Sequence, residues 1–212
     1  AAPARAELTA VKTGSLPQAP QSARAAQTSA ASPAAPETAS QPAVGMSTEL
    51  LSEIASADWE ALQTLSQHCT ACALSAMGRQ HVVFSDGGPG PKLVVVGEAP
   101  GAEEDLQGIP FVGKSGKLLT AMLDSLGLVR RRDCVILNVL KCRPPRNRNP
   151  QPEEIVCCGH WLARQLELLK PDVLFLAGRF AISSLLKPAD EMFSISKMRG
   201  RIHLAQLPDG RQ

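Results

Sequence analysis

Short apolar runs alternate along this chain with longer segments of helical periodicity, and this alternation constrains the fold more than any other feature. The predicted strands cover residues 92–96, 134–140 and 172–177. The predicted helices cover residues 48–69, 117–126, 152–169 and 179–186. Residues 202–207 could form a fourth strand or one arm of a hairpin. Because parallel neighbours need a crossover, the alternation predicts an α/β fold with a parallel sheet covered by helices on both faces.

The composition changes sharply near residue 46. Residues 1–46 consist mostly of Ala, Ser, Pro, Gln and Thr, so they have little apolar surface to bury in a core. We therefore expect a disordered tail or linker over residues 1–46, with a partner-binding tail as the alternative. One folded domain is expected over residues 47–212.

Composition and charge agree with an ordinary soluble protein. Apolar residues make up 44% of the chain and the formal net charge is +2. No apolar run approaches the length of a membrane span, and the N-terminal region holds no apolar core of a secretory signal. The expectation is a cytoplasmic, monomeric protein that does not bind a membrane.

The stretch GEAPGAEEDLQGIPFVGKSG, residues 97–116, follows the first predicted strand. Ligands bind at the carboxyl ends of the strands in open parallel sheets. The stretch matches neither common phosphate-binding pattern, and Glu98, Glu103, Glu104 and Asp105 would repel a phosphate. A carboxylate at a strand end suits instead a pocket that stabilises positive charge or orients water. The alternative is that these acids cap the turns that follow.

Five cysteines form a second group of candidate functional residues. Cys69 and Cys72 are spaced C-x2-C, and Cys142, Cys157 and Cys158 lie further along the chain. Disulfides are not expected in a reducing compartment. A structural zinc site usually has a second close pair, which here would be spread over a strand end and a helix. Four thiolates with a long gap also suit an iron–sulfur cluster, so both metals stay open at this point.

Periodicity predicts the direction of some of these side chains. Cys158 shares one helical face with Leu162 and Leu166, so it should face the core, whereas its neighbour Cys157 cannot point the same way. Cys134 lies within a predicted strand and is interpreted as a small core residue. Cys69 and Cys72 are less well explained as small core residues, because they flank a polar turn.

Basic residues cluster around the second predicted strand and near residue 200. The three clusters are Arg130 to Arg132, then Lys141, Arg143, Arg146 and Arg148, and finally Lys197, Arg199 and Arg201. Clusters of this kind bind the phosphates of nucleic acids. A solvated surface without a ligand is the alternative on charge alone.

Three stretches together resemble the family 4 uracil-DNA glycosylases, the iron–sulfur-containing type. They are CTACAL, VVVGEAPGAEEDLQGIPFVGKSGKLL and NVLKCRPPRNRNPQPEEIVCC, and the similarity covers residues 48–201. The resemblance implies a three-layer α/β/α sandwich with a four-stranded parallel sheet. It also implies a monofunctional hydrolase of base-excision repair, which cleaves the N-glycosidic bond of uracil in single- or double-stranded DNA and carries a [4Fe–4S] cluster.

The resemblance assigns residues to a uracil pocket. Glu98 would position the attacking water or stabilise the cationic sugar, and Glu104 belongs to the same catalytic motif. Phe111 would stack on the extruded base, Asn138 would read the edge of uracil, and Ala99 would line the uracil site. An asparagine amide can meet the N3–H and O4 of uracil together, whereas cytosine presents the opposite pattern there.

The resemblance further implies the cluster ligands and the contacts to DNA. The implied ligands are Cys69, Cys72, Cys142 and Cys158. The side chains expected at the DNA backbone are Arg143, Arg146, Arg148 and Arg199.

One motif of the family has no counterpart in this sequence. The family ends its domain with a His-Pro-Ser-like loop after a last strand, and His203 in RIHLAQLP lacks that context. The expectation is that the C-terminal part of the domain, with its fourth strand, is missing. Two other functions stay open. One is a non-catalytic iron–sulfur module that binds DNA beside a repair or replication partner, and the other is a zinc-binding α/β domain with a different ligand.

Overall fold

The structure, a computed structural model, describes residues 45–186, 194–207 and 210. The tail predicted over residues 1–46 lies almost entirely outside these ranges and stays a prediction. Within them, no helix is both long and apolar enough to cross a membrane. The helices and strands are, in chain order, α1 (Thr48–Ser56), α2 (Trp59–Gln67), β1 (Leu93–Gly97), α3 (Ala102–Gln107), α4 (Lys114–Ser125), β2 (Cys134–Asn138), α5 (Pro152–Leu169), β3 (Val173–Leu176), α6 (Arg179–Leu186) and α7 (Ile195–Met198).

The three strands form one parallel sheet in the order β2-β1-β3. Successive strand residues point to opposite faces of a sheet. On one face Val94 of β1 belongs to the same core cluster as Leu162 of α5. On the other face Val95 packs with Leu119 of α4. The sheet therefore lies between two helical layers, and the predicted α/β/α arrangement is confirmed, with three strands in the described part of the chain.

The segment suggested as a fourth strand or hairpin arm, residues 202–207, has no regular secondary structure, so that suggestion is wrong. Ile202 is 100% exposed and Leu204 is 79% exposed. A strand needs a hydrogen-bonded neighbour to be stable. Within the described ranges this segment pairs with no strand, and β3 pairs only with β1.

The helix predicted over residues 48–69 is in fact two helices, α1 and α2. Ser47 is the N-cap of α1, and its hydroxyl accepts a hydrogen bond from the Leu50 N–H at 3.2 Å. The chain then breaks at Asp58, whose carboxylate accepts from the Ala61 N–H at 2.9 Å and begins α2. Aspartate is a preferred N-cap and a poor residue for a helix interior, so the break occurs although the apolar spacing continues.

Helices α1 and α2 pack on the outer side of α5. Ile54 and Leu62 form a buried cluster with Trp161 of α5 and with Phe84. This packing brings the segment after α2, which carries the C-x2-C pair, against the first turns of α5.

Residues 97–116, over which no helix was predicted before residue 117, contain the short helix α3, and α4 begins at Lys114 rather than at residue 117. Gly101 occupies the N-cap of α3, and Gly108 ends the helix with a φ of 71°. Acidic residues in the first turn stabilise a helix N-terminus, which explains part of the acidity of this stretch.

Residues 82–86, for which no element was predicted, lie along the outer edge of β2. Asp86 and Ile136 form an antiparallel bridge, in which each backbone N–H donates to the carbonyl of the other residue at 2.9 and 3.0 Å. The Val83 N–H donates to the Lys141 carbonyl at 2.8 Å. The apolar run VVF, residues 82–84, was the signal in the sequence, and this segment covers the edge of β2.

Candidate active site and cysteine cluster

A cavity of about 180 Å³ opens at the carboxyl ends of β1 and β2. The register of the sheet places the last residue of β1, Gly97, beside the last residue of β2, Asn138. The predicted pocket residues that line the cavity are Glu98, Ala99, Glu104, Phe111 and Asn138. The wall is completed by Pro100, Gly101, Ser115, Pro144, Asn147 and Arg148.

Asn138 presents an unused polar group to this cavity. The residue is 2% exposed, and its Oδ1 has no hydrogen-bond partner among the described residues. The Nζ of Lys141 donates to the backbone carbonyl of Asn138 at 2.7 Å and so fixes the end of the strand. A buried acceptor without a partner is unfavourable, and a ligand N–H placed at Oδ1 would remove that cost.

Gly97 sets the spacing between Asn138 and Phe111. A Cβ at residue 97 would overlap the Phe111 ring and would lie 2.5 Å from Asn138 Oδ1. A larger residue therefore fits only if both side chains move. The glycine leaves the amide and the aromatic ring facing the same small space, which suits a flat ligand.

Glu98 follows Gly97, and its half-buried side chain forms part of the cavity wall. Burial raises the pKa of its carboxyl above the ordinary value. Its backbone is held in place because the Leu140 N–H donates to the Glu98 carbonyl at 2.9 Å. A carboxylate with reduced hydration interacts more strongly with a nearby cation than an exposed one, and it can accept a proton from water.

Glu104 uses both carboxylate oxygens for hydrogen bonds inside the protein. Its Oε2 accepts from the Gly101 N–H at 3.0 Å. Its Oε1 accepts from the N–H groups of Val112 and Gly113 at 3.0 and 2.9 Å. Glu104 therefore ties α3 to the turn that precedes α4, and it shapes the wall of the cavity.

The remaining acids of this stretch have other surroundings. Asp105 is buried, and its Oδ1 accepts from the backbone N–H groups of Gln80 and His81 at 3.0 and 3.4 Å. Glu103 is exposed. Capping of the turns that follow, the alternative weighed from the sequence, is thus confirmed for Glu104, whereas Asp105 binds the backbone of an earlier segment.

Five cysteines converge where α2, β2 and α5 meet. Cys72, Cys142, Cys157 and Cys158 belong to one buried cluster, and Cys69 is half-buried. Burial raises the pKa of Cys72 to about 11, with further contributions from the Cys142, Cys69 and Cys157 thiols. Burial also raises the pKa of Cys158, and the Cys142 and Cys72 thiols add to this rise. In the described part of the chain, no three His, Cys, Asp or Glu side chains are already arranged to hold a metal ion.

Two hydrogen bonds distinguish individual thiols in this group. Arg79 Nη1 donates to Cys142 Sγ at 3.1 Å, and Cys157 Sγ donates to the Ala71 carbonyl at 3.5 Å. Cys158 is 4% exposed, as expected for a side chain that faces the core. Cys157 is also buried, and its contact with the Ala71 carbonyl shows that the segment after α2 lies against it.

Cys134 lies apart from the other cysteines. It is 0% exposed and packs on the opposite face of the sheet with Leu119 and Ile136. Its interpretation as a core residue is confirmed.

Comparison with known proteins gives one family model and several curated relatives that carry the same activity in their names. A family model described as the uracil DNA glycosylase superfamily matches residues 84–208. The type-4 uracil-DNA glycosylase of Archaeoglobus fulgidus is 48% identical over 136 residues, which are 64% of this chain and 67% of that protein. The type-4 enzyme of Thermotoga maritima is 48% identical over 132 residues, which are 62% of this chain and 67% of that protein. The type-4 enzyme of Saccharolobus solfataricus is 40% identical over 136 residues, which are 64% of this chain and 62% of that protein.

The chain belongs to the type-4 uracil-DNA glycosylase family. It spans about two thirds of the length of these curated relatives. The family expected from the sequence motifs is confirmed.

In this member of the type-4 family, three of the four arginines expected at DNA follow β2. Arg148 lines the cavity and forms a bidentate ion pair with Glu154, with N–O distances of 2.9 and 2.6 Å. Arg143 Nε donates to Asn147 Oδ1 at 2.7 Å. Arg146 is exposed. The ion pair with Glu154 gives Arg148 a structural role as well.

The fourth of these arginines, Arg199, is exposed just after α7 and is not part of the cavity wall. In the same segment His203 Nε2 lies 3.0 Å from the Met198 carbonyl. The structure thus brings the three arginines after β2 near the cavity, and it does not place Arg199 in that wall.

The first basic cluster is held by acidic residues. Arg130 and Arg131 both pair with the buried Asp86, and Arg132 pairs with Asp133. These partners favour a structural interpretation of the cluster over the alternative of a phosphate-binding surface.

Several wall residues of this type-4 site were not assigned from the sequence. Ser115 lies in the first turn of α4, and the predicted helix began three residues later, at residue 117. Asn147 has a left-handed φ of 56° in the short 3-10 turn Pro145–Asn147. Asparagine tolerates that region better than most residues, so the run PPRNRNP carried a signal for a tight turn beside the pocket.

Proposed function

We propose that this chain excises uracil from DNA by hydrolysing the bond between N1 of uracil and C1′ of the deoxyribose. The observation that carries the proposal is the buried, unpartnered Oδ1 of Asn138, in a cavity that also presents Phe111 and Glu98. Membership of the type-4 family supports the same activity. A base must leave the stack before an enzyme can reach its glycosidic bond, and the cavity is open at its strand-end side.

Recognition rests on the amide of Asn138 and the ring of Phe111. The Oδ1 of Asn138 accepts from uracil N3–H, and its Nδ2 donates to O4. Cytosine has an acceptor at N3 and a donor at position 4, so both groups of the amide would face the wrong partner. The Phe111 ring provides a stacking surface for the extruded base.

Cleavage is a substitution at C1′ by water. The C1′–N1 bond breaks and its electron pair moves to uracil, which leaves positive charge on the sugar. The carboxylate of Glu98 stabilises this charge and orients a water molecule. The water oxygen bonds to C1′, Glu98 accepts the released proton, and the uracil anion takes up a proton as it leaves. The products are free uracil and an abasic site.

Glu104 acts in this scheme as a positioning residue. Its three bonds to the backbone hold the turn that carries Phe111 against the start of α3. Both of its oxygens are used by these N–H groups, so Glu98 remains the carboxylate available to water and sugar. This proposal gives a role to Glu104, which the sequence placed in the catalytic motif without one.

We propose that Arg146 and Arg199 contact DNA phosphates, since both are exposed cations. Arg143 and Arg148 flank the turn at Asn147 in the cavity wall, where they would contact the phosphates nearest the extruded nucleotide. Such contacts position the DNA and are sensitive to salt.

We propose further that Cys69, Cys72, Cys142 and Cys158 hold a [4Fe–4S] cluster. The residues fit this group, because they supply thiols alone and are brought into one region by three segments of the fold. The Arg79 bond to Cys142 Sγ would support a thiolate there. When bound, the cluster would cross-link the end of α2, the end of β2 and the start of α5. A bound zinc ion is the alternative, and visible absorption distinguishes the two because zinc protein is colourless.

Asn138→Asp tests the base recognition. The carboxylate cannot donate to O4 and repels it, so release of uracil from a single-stranded oligonucleotide should slow by about 5- to 150-fold, which corresponds to about 1–3 kcal/mol for one unsatisfied buried group. Gln63→Glu is the control, because it makes the same change from amide to acid at an exposed residue of α2 outside the cavity wall. The assay uses the full-length protein with uracil and with cytosine at the same position. Equal uracil rates in wild type and Asn138→Asp would contradict the recognition scheme.

A non-catalytic DNA-binding module is the second candidate. It would bind the uracil-containing oligonucleotide in a gel-shift assay but leave the glycosidic bond intact, whereas the proposed enzyme produces alkali-labile abasic sites. A cytoplasmic location and a monomeric state stay predictions.

A further inference from the structure

Phe111 has an unusual backbone conformation for an aromatic residue. Its φ is 55°, in the left-handed region that side chains with a Cβ rarely adopt. Residues are held in such conformations when the surrounding structure determines them, and they concentrate at functional sites. The neighbours of the Phe111 backbone therefore explain how the ring is presented to the cavity.

Arg130 supplies most of that restraint. Its Nη1 donates to the Phe111 carbonyl at 2.7 Å, and its Nη2 donates to the Pro110 carbonyl at 2.8 Å. Nη1 also donates to Thr120 Oγ1 at 3.1 Å, and Nε pairs with Asp86 Oδ2 at 2.7 Å. The guanidinium of Arg130 thus binds two successive backbone carbonyls. It also connects them to α4, through Thr120, and to the segment along the edge of β2, through Asp86.

The surroundings make this arrangement rigid. The Arg130 side chain is 19% exposed and that of Asp86 is 3% exposed. On the other side, a Cβ at Gly116 would overlap the backbone of Phe111, so the first turn of α4 lies directly against the Phe111 carbonyl. Arg130 therefore holds the Pro110 and Phe111 carbonyls from one side, and α4 packs against them from the other. Together these contacts define the orientation of the peptide groups before and after the Phe111 Cα.

We propose that Arg130 is a positioning residue for base stacking, which holds residues 110 and 111 in the conformation that turns the Phe111 ring into the cavity. The proposal rests on the proposed function, in which that ring stacks on uracil. Arginine is required because its planar fork donates in several fixed directions, whereas the ammonium of lysine is a compact charge that cannot reach two carbonyls and a carboxylate in this geometry.

The first measurement does not depend on activity. The chain has five phenylalanines, so protein labelled with 4-fluorophenylalanine gives five ¹⁹F resonances, and the one absent from Phe111→Ala is assigned to Phe111. Arg130→Lys should shift or split this resonance and leave the other four in place. Arg132→Lys is the control, since Arg132 is exposed and pairs with Asp133. An unmoved Phe111 resonance in Arg130→Lys would overturn the proposal.

The second measurement is a double-mutant cycle on uracil release. Phe111→Ala should lower kcat/KM by about 5- to 150-fold, as expected for loss of one stacking contact. Arg130→Lys should lower it at least 5-fold in the wild-type background and less than 2-fold in Phe111→Ala, because the ring it positions is then absent. Equal losses in both backgrounds would mean a general structural role and would contradict the proposal.

A milder variant covers the case in which Arg130→Lys does not fold. Thr120→Val removes one partner of the Arg130 guanidinium with little change in volume, and it should move the same ¹⁹F resonance in the same direction by a smaller amount. A wild-type protein that releases no uracil would reject the proposed function, while the ¹⁹F spectra would still decide whether Arg130 sets the conformation of Phe111.

Discussion

Replacing Glu98 by glutamine is expected to slow uracil release by about 10²–10³-fold, the usual effect of removing one group directed at charge that develops in a transition state. Glutamine keeps the size of the side chain but carries no negative charge for the cationic sugar and accepts no proton from water. Glu98 lies at the end of β1 in the cavity wall, so the change acts where the glycosidic bond would lie. Single-turnover rates on a uracil-containing oligonucleotide measure the effect.

The matched control is Glu103→Gln, which removes an exposed acid of the same stretch and should keep the wild-type rate. The pH profile gives an independent test. Burial raises the pKa of Glu98 above its ordinary value of 4.5. The wild-type rate should fall as the pH is lowered through this raised pKa, because protonation removes the charge, and Glu98→Gln should lack that fall. A wild-type rate in Glu98→Gln would remove Glu98 from the mechanism.

Replacing Cys158 by serine is expected to abolish cluster binding. Iron should fall from about four atoms per chain towards zero, and the broad visible absorption of an iron–sulfur protein should disappear. The cluster would cross-link three segments, and a cross-link typically contributes about 2–4 kcal/mol to the free energy of unfolding. A loss of that size would lower the Tm by about 4–16 °C in a domain of this length. Elemental analysis and calorimetry measure both effects.

Cys157→Ser is the control for this prediction, since Cys157 is the adjacent residue of α5 and is also buried. Its thiol bonds to the Ala71 carbonyl, so this variant should keep its iron and lose little stability. If Cys157→Ser loses iron and Cys158→Ser keeps it, the ligand assignment on α5 is reversed. A colourless wild-type protein with bound zinc would replace the iron–sulfur proposal altogether.

The sequence predicted the architecture well wherever local periodicity decides the structure. The bounds of α5 and α6 are those expected from apolar spacing, and β1 differs from its predicted range by a single residue at each end. The residues expected in the pocket do surround one cavity, because the carboxyl ends of neighbouring parallel strands lie at the same edge of a sheet. Their chemical roles stay predictions.

Elements set by competition between local preferences were predicted less well. Apolar spacing runs through Asp58, but its capping bond to the Ala61 N–H divides the helix in two. No helix was predicted in the acidic stretch, although Gly101 and Gly108 delimit α3 there. Residues 202–207 have the composition of a strand but no strand partner in the described part of the chain.

By itself the sequence determined the layered α/β fold, the family and the set of candidate pocket residues and cysteines, because these depend on periodicity and on short motifs. The tertiary structure alone decided that the Glu104 and Asp105 carboxylates hold the backbone, whereas the carboxylate of Glu98, which also lines the cavity, does not do so within the described residues. It also decided that Asp86 and Arg130, 44 residues apart in the chain, meet beside Phe111. Hydrogen bonds between distant residues leave no periodic signal, since each partner is chosen by the packing of whole elements and not by its neighbours in the chain.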